Sequence, residues 1–258
     1  KNKNFFGHIF NFCNLDFGVD LNIRSQIDEG SGLGGSAALS SCVIGAINYL
    51  QNIKLSKYEI AELAFQAERI ELGILGGWQD QYSTVFGGCN FMEFRKNSNL
   101  VQKLLLPNDT LDELERRLII CDTNIKHKGS IIHKKNQSNK NLNHYGKRVK
   151  FLVEEIRVSL LTGKINQLGK LIQQTWNLKK QLHKSMTNNK IRLMEKKLCR
   201  KNLADGCRLL GTGGGGHILF YIKPQNRFNF LKKLSQLKIN YYKVKLDQDG
   251  LKVWDTDI

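Results

Sequence analysis

The sequence lacks three features that would each assign it to a well-defined class of protein. Although 41% of its 258 residues are hydrophobic, no apolar run approaches the ~20 residues that a transmembrane helix needs. No secretory signal stands at its start, and its six cysteines show no C-x-x-C pair and no metal-binding spacing. We therefore expect a cytoplasmic protein without a membrane partner, in which Cys42 and Cys121 are small core residues.

Acidic residues are scarce, with 23 against 40 lysines and arginines and a net charge of +17. Such an excess is typical of proteins that bind nucleic acid, and it is densest from Lys126 to Lys150. No DNA- or RNA-reading motif accompanies this segment, and Tyr145 is its only aromatic residue. We interpret it as a solvated lid facing anionic substrates and predict no nucleic-acid partner. A basic nucleic-acid binder is the poorer alternative.

Glycine is plentiful, and the first glycine cluster organises the rest of the chain. Residues 28–47 read DEGSGLGGSAALSSCVIGAI, after an alternating apolar and polar segment, 19–27, that predicts a strand. An apolar helix pattern follows. Strand, glycine loop and helix together present backbone N–H groups and a positive helix end to a phosphate chain. The loop is not a Walker A motif, and Ala37 replaces the third glycine of a dinucleotide fingerprint.

The segment Gly30–Ala38 resembles the nucleotide-binding signature of the GHMP kinases, which include galactokinase, homoserine kinase and mevalonate kinase. The resemblance implies ATP as a substrate, Mg²⁺ as a cofactor, and Ser36 as a ligand of the metal. Gly35 stands where the family usually has another serine, which removes one hydroxyl but keeps the loop. The residues implied to bind ATP are Gly30, Ser31, Gly32, Leu33, Gly34, Gly35, Ser36 and Ala37.

A second candidate segment, residues 68–88, contains two carboxylates. Asp80 is embedded among Trp78, Tyr82 and Phe86 in a run that reads as buried, and a buried carboxylate must be paired, metal-bound or catalytic. The segment resembles the glutamate-then-aspartate region of the same family. The resemblance implies that Glu68 is the second metal ligand, with Glu71 as a less fitting substitute, and that Asp80 faces the acceptor hydroxyl.

The run GGWQDQY followed by FGG is similar to the branch that contains heptose 7-phosphate kinases and the kinase part of L-fucokinases. The element Trp176–Lys180 (WNLKK) is also similar to that branch, although a core tryptophan with a basic rim explains it equally well. The resemblance implies an ATP-dependent sugar kinase acting on the anomeric hydroxyl of a heptose 7-phosphate. An L-fucokinase-like activity is the closest alternative.

The second glycine loop, residues 211–216, precedes an apolar strand and resembles the last signature of the family. It departs from that signature at Arg208, Thr212 and His217, where lysine, alanine and a large apolar residue are usual. We expect the cluster to close over the substrate. The predicted substrate-binding residues are Gln79, Tyr82, Gly213, Gly214 and Gly215.

The resemblance implies an α+β protein with the GHMP kinase fold. Residues 1–110 are predicted to form a nucleotide-binding domain like ribosomal protein S5 domain 2, and residues 111–258 a ferredoxin-like domain. The family's first motif has no counterpart before Asp28, so we expect the first domain to be truncated. A degenerate homologue that binds nucleotide without turnover is therefore an alternative of another class. Local patterns predict helices at 56–72, 145–161, 165–186, 186–203 and 226–237, and strands at 89–94, 118–122, 218–222 and 240–246.

Overall fold

The computed structural model describes residues 5–15, 17–28, 30–71, 73, 76–96, 98–126, 142–200 and 203–256. The chain divides into two compact units. The first comprises Lys1–Glu29, Gly34–Leu104 and Asp247–Ile258, and the second comprises Gly30–Leu33 and Leu105–Leu246. The predicted domain division at residue 110 stays a prediction, because the units are defined by packing alone. No helix among the described residues is long and apolar enough to cross a membrane.

Within its described residues, the first unit contains four α-helices, one π-helical turn and a β-hairpin. They are α1 (Phe5–Phe12), α2 (Gly35–Leu50), α3 (Lys57–Gln66), the π turn (Ala67–Glu71), α4 (Gln79–Phe86), β1 (Asn90–Phe94) and β2 (Asn99–Lys103). The helices enclose a core around Ile44, Ala64 and Val85. The predicted capping box is confirmed, since Ser56 and Glu59 cap the start of α3 reciprocally.

The strand predicted at 19–27 is wrong for this structure. The described residues of this segment form no strand, and Val19, Leu21 and Ile23 are between 36% and 43% exposed. Alternating polarity shows which residues can share one face, but a strand also needs a neighbour to receive its backbone hydrogen bonds. The only sheet of the first unit, within its described residues, is the antiparallel β1–β2 hairpin.

The second unit is an antiparallel sheet covered by helices. Its elements are α5 (Asn108–Arg117), β3 (Leu118–Asp122), α6 (Leu142–Leu161), α7 (Leu168–Leu182), α8 (Asn189–Leu198), β4 (Ala204–Leu209), β5 (His217–Ile222), α9 (Arg227–Gln236) and β6 (Tyr241–Lys243). The strand order is β4-β5-β3-β6. Helices separate β3 from β4 and β5 from β6, which is the β-α-β-β-α-β plan of a ferredoxin-like unit. The predicted ferredoxin-like half is therefore confirmed.

Local patterns located most of these elements but missed others. The strand predicted at 118–122 is confirmed with its bounds, whereas α5 and β4 were not predicted. The helix predicted at 165–186 is divided into a 3₁₀ turn (Ile165–Gln167), α7 and a second 3₁₀ turn (Lys184–Met186). Cys121 is buried as predicted, but Cys42 is exposed. The predicted basic lid falls largely on residues 127–141, outside the described part of the chain.

Candidate active site

The first glycine loop ends at the start of α2 in a geometry suited to an anion. Gly34 is the N-cap of α2 and has a left-handed backbone, with φ of 75°, which glycine adopts without steric strain. No side chain caps this helix start. The N–H groups of the first helical turn therefore remain to be satisfied by another acceptor, and the positive end of the helix dipole favours an anion there.

A buried carboxylate lies behind this helix start. Glu68, in the π turn, is 1% exposed. Its Oε2 accepts a hydrogen bond from Ser36 Oγ at 2.8 Å, and its Oε1 accepts bonds from Ser40 Oγ at 2.8 Å and Gln81 Nε2 at 2.9 Å. Arg69 lies 3.8 Å from Oε2. These hydrogen bonds replace those that the Glu68 carboxylate would otherwise make with water.

The same pair of oxygens fits a Mg²⁺ site. Adjacent ligands of an octahedral Mg²⁺ at about 2.0–2.1 Å lie about 2.9 Å apart, and Ser36 Oγ and Glu68 Oε2 are 2.8 Å apart. Both are hard oxygen donors. Among the described residues no group of three or more His, Cys, Asp or Glu could hold a metal. Mg²⁺ in phosphoryl-transfer sites needs only one or two protein ligands besides the phosphates and waters.

The second carboxylate, Asp80, lies in the first turn of α4 beside the glycine loop. A Cβ placed on Gly34 would be 3.8 Å from Asp80 Cβ. Contrary to the sequence interpretation, Asp80 is exposed, because helix α4 turns Tyr82 and Val85 into the core and Asp80 away from it. An exposed carboxylate next to an anion-binding loop remains accessible to a substrate.

The other residues predicted in this segment have different environments. Gln79 is exposed at the first position of α4. Tyr82 is 2% exposed, and its hydroxyl bonds to Glu62 and Asn99. Because this hydroxyl is already engaged in the core, we leave Tyr82 out of the proposed substrate site. The side chain of Glu71 lies outside the described residues.

The second glycine loop is held by backbone contacts within the second unit. Gly214 N donates to Met186 O at 3.0 Å, and Gly216 N donates to Ile125 O at 2.8 Å. Gly213 and Gly215 are buried. A Cβ on Gly213 would lie 2.9 Å from Met186 Sδ. A side chain at position 213 would therefore collide with Met186, and the two backbone hydrogen bonds fix the turn that contains Gly213, Gly214 and Gly215.

The beginning of the first glycine loop packs on this second loop, since residues 30–33 belong to the second unit. A Cβ on Gly211 would lie 2.8 Å from Gly32 Cα, so the two backbones touch. His217 Nδ1 donates to Ser31 O at 2.8 Å, and its ring packs on Tyr242. The departure at His217 thus supplies a hydrogen bond to the first glycine loop.

Two residues of the site were missed by sequence reasoning. Ser40 and Gln81 both donate to Glu68 Oε1, and both are fully buried. Ser40 lies four residues after Ser36 on α2, so helical periodicity alone puts both hydroxyls on one face. Gln81 gave no comparable signal, because its contact depends on how α4 packs against the π turn.

An anion-binding loop with a hydroxyl–carboxylate pair, and a second carboxylate beside it, is the arrangement expected of a phosphotransferase that uses an alcohol acceptor. The N-terminal domain of the GHMP kinases matches residues 3–88. A D-glycero-alpha-D-manno-heptose 7-phosphate kinase of Campylobacter jejuni is 33% identical over 94% of this chain and 73% of its own length. The chain belongs to the GHMP kinase family, whose members are ATP-dependent phosphotransferases.

Two further comparisons agree with this assignment. A crystal structure described as a sugar kinase from Campylobacter jejuni superposes with a TM-score of 0.77 at 31% identity, covering 97% of this chain and 74% of that one. The bifunctional fucokinase/GDP-fucose pyrophosphorylase of Arabidopsis thaliana is 26% identical over 84% of this chain and 21% of its own length. The resemblance found in the glycine motifs is thereby confirmed.

Proposed function

We propose that this chain transfers the γ-phosphoryl group of ATP to the anomeric hydroxyl of D-glycero-D-manno-heptose 7-phosphate. The observation that carries the proposal is the Ser36–Glu68 contact of 2.8 Å behind a glycine-capped helix start, with Asp80 beside Gly34. Phosphoryl transfer needs an aligned acceptor and cancellation of charge on the phosphate oxygens, and little covalent help from the protein. Each requirement has a candidate group in this arrangement.

The roles follow from the chemistry of the groups. Backbone N–H groups from Gly30 to Ala37 bind the ATP phosphates. Ser36 and Glu68 would hold Mg²⁺, which would neutralise charge on the phosphate oxygens. Asp80 orients the acceptor hydroxyl and takes its proton as the oxygen bonds to phosphorus and the bond to ADP breaks. Ser40 and Gln81 hold Glu68 in position through their bonds to Oε1. Gln79, exposed at the start of α4, contacts the sugar; a role of Gly213, Gly214 and Gly215 in substrate binding stays a prediction.

The sugar is inferred from the relatives and not from a contact. The relative that is 33% identical over 94% of the chain bears the name of a heptose 7-phosphate kinase, whereas the fucokinase relatives are 26% and 28% identical. An excess of basic residues also favours a phosphorylated acceptor over a neutral sugar. L-fucose is the second candidate acceptor. Turnover of heptose 7-phosphate, heptose and L-fucose with ATP, measured as ADP release, distinguishes the two.

The role of Asp80 is tested by Asp80→Asn. We expect kcat to fall by about 10²–10⁴-fold, since that is the usual contribution of a general base. The affinity for ATP should remain close to that of the wild type, because the N–H groups of the glycine loop are intact. The matched control is Asp112→Asn, an exposed aspartate on α5, which should keep full activity. Unchanged turnover by Asp80→Asn would refute the role.

A further inference from the structure

The first glycine loop must be ordered before its backbone can bind a phosphate. Four of the six residues from Gly30 to Gly35 are glycine, the residue with the most conformational freedom to lose. Gly30, Gly32 and Gly34 have left-handed φ values of 75°, 74° and 75°. A segment that is ordered before its ligand arrives binds that ligand more tightly than one that is ordered on binding. Contacts that fix this loop in the free protein therefore raise its affinity for an anion.

The start of the loop, residues 30–33, is fixed by a hydrogen bond from the second unit, to which it belongs. The bond within this segment, from Leu33 N to Ser31 Oγ, is long at 3.4 Å. His217 Nδ1, in contrast, lies 2.8 Å from Ser31 O, and both residues are buried. A carbonyl oxygen only accepts hydrogen bonds, so Nδ1 carries the proton and is the donor.

The imidazole that donates this bond is held on an inner strand of the sheet. His217 is the first residue of β5, and it pairs with Asp122 of β3. Its own carbonyl accepts a bond from Leu210 N at 2.9 Å. Its ring packs on Tyr242 of β6, with 5.6 Å between the ring centroids. Because backbone and ring are both held, the donor has a defined position from which it can fix the loop.

The same bond sets the direction of the next backbone N–H group. The described peptide bonds are trans, and in a trans peptide the C=O and the following N–H point in opposite directions. With Ser31 O directed at His217, the N–H of Gly32 points away from His217. Ser31 and Leu33 lack positive φ and so alternate with the three left-handed glycines. Such alternation is the backbone pattern that gathers successive N–H groups around an anion.

We propose that His217 is a positioning residue for ATP: its bond to Ser31 O orders the loop and holds the N–H of Gly32 toward the phosphates before the nucleotide binds. This inference rests on the proposed role of residues 30–37 in binding ATP and deepens it. A large apolar residue, which is usual at this position in the family's last signature, has no donor. The anchor is therefore a feature of this chain. His217 contacts no phosphate in this role, and no covalent bond forms or breaks at it.

The test measures nucleotide affinity by calorimetry without a sugar, and therefore without turnover. His217→Leu removes the donor and keeps an apolar side chain in a buried position. We expect its Kd for ATP to rise roughly 3- to 10-fold, the range for a neutral hydrogen bond. The Kd for adenosine, which has no phosphate, should not change. His217→Asn, whose side-chain amide carries a donor close to the position of Nδ1, should recover part of the loss.

Tyr242→Leu is the matched control, because it removes the ring that packs on His217 and leaves the donor to Ser31 O in place. Its Kd for ATP should stay close to that of the wild type. In turnover assays with a sugar, kcat at saturating ATP and the KM for the sugar should be unchanged in all three variants, because only the loop that binds ATP is affected.

Three results would overturn the inference. An unchanged Kd for ATP in His217→Leu would show that the bond does not order the loop for phosphate. Equal losses for ATP and adenosine would indicate a general structural role. Equal losses in His217→Leu and Tyr242→Leu would assign the effect to ring packing.

Two further comparisons keep the test decisive. If His217→Leu does not fold, His217→Asn is compared with His217→Gln, whose amide lies one carbon further from the backbone. Tighter ATP binding by His217→Asn then supports the inference, and equal binding refutes it. A wild type that binds ATP but phosphorylates no sugar refutes the proposed function, whereas the Kd values still decide the role of His217.

Discussion

Glu68 carries a charge that the folded chain keeps almost entirely away from water. Its four polar neighbours include two hydroxyls, an amide and the Arg69 guanidinium. Together they offset the desolvation of one carboxylate, so the arrangement is stable before any metal binds. The Glu68 carboxylate lies 2.8 Å from Ser36 Oγ, so the two oxygens could serve as adjacent ligands of Mg²⁺.

Replacement of this charge gives the first prediction at the residue scale. Glu68→Gln keeps the size of the side chain but removes the charge. We expect kcat to fall by about 100-fold or more, because charge stabilisation by a metal is worth several kcal/mol. The Mg²⁺ concentration for half-maximal rate should also rise. Steady-state rates over a Mg²⁺ titration measure both. Glu62→Gln is the control, since Glu62 accepts hydrogen bonds from Trp78 and Tyr82 in the same unit. Identical Mg²⁺ curves for both variants would contradict the metal role.

Individual residues of the site were partly predictable from the sequence. Ser36 and Glu68 were identified through the family resemblance, and the structure brings their oxygens together. The burial of Asp80 was predicted wrongly. In a helix the apolar residues Tyr82 and Val85 share one face, whereas Asp80 lies on another face that is exposed. Gln81 could not be found, since its fit to Glu68 depends on tertiary packing.

At the scale of elements, the π turn after α3 is the feature that positions Glu68. A π turn inserts an extra residue into the helical repeat, and such turns occur frequently at functional sites. The sequence predicted a continuous helix at 56–72, whereas α3 ends at Gln66 and the π turn continues to Glu71. Helical periodicity cannot predict this insertion, because the apolar pattern of so short a segment is compatible with either backbone.

The capping box of α3 allows a test of helix stability that leaves the site unchanged. Ser56→Ala should lower the free energy of unfolding by about 1 kcal/mol, without an effect on kcat. Bonds from Ser56 hold the pKa of Glu59 below its ordinary value. The stabilising hydrogen bonds that the Glu59 carboxylate accepts from Ser56 are therefore present at neutral pH and lost as the pH falls through that lowered pKa. The difference between Ser56→Ala and wild type should accordingly shrink in acid.

Denaturant titrations at neutral and acid pH measure this difference. Ser235→Ala is the matched control, because Ser235 lies inside α9 and its hydroxyl donates to Leu231 O one turn earlier. Such back-bonding does not favour a helix, so alanine there should be neutral or slightly stabilising. A loss of stability in Ser235→Ala as large as in Ser56→Ala would show that the capping box contributes nothing specific.

At the scale of the whole molecule, the first unit is assembled from distant stretches of sequence. Its last stretch begins at Asp247, after the entire second unit. Lys57 Nζ donates to Asp249 O and Lys103 Nζ to Gln248 O, each at 2.8 Å, and Leu251 packs on the core of the first unit. The sequence patterns assigned this tail to the second half, because local periodicity carries no information about which distant surface a segment covers.

The tail approaches the rest of the first unit closely at Gly250, and this contact allows a test of the arrangement. A Cβ on Gly250 would lie 2.5 Å from both Val85 O and Gly87 N, and the φ of Gly250 is +72°. Gly163 has a φ of +69° but no atom within 4 Å of its Cβ position. Both glycine-to-alanine changes incur a left-handed strain of about 1–2 kcal/mol. Only Gly250→Ala also forces the tail away from Val85, an overpacking cost of about 1–3 kcal/mol.

We therefore expect Gly250→Ala to destabilise the first unit more than Gly163→Ala destabilises the second. Amide hydrogen exchange followed by fragment mass analysis resolves the two units. In Gly250→Ala, exchange should accelerate in α2, α4 and the β1–β2 hairpin, while β3 and β5 keep their protection, because the tail belongs to the first unit and local opening can be confined to one unit. In Gly163→Ala, any acceleration should be confined to the second unit. Faster exchange in β3 and β5 of Gly250→Ala, or equal effects of the two variants on α2, would show that the tail does not secure the first unit.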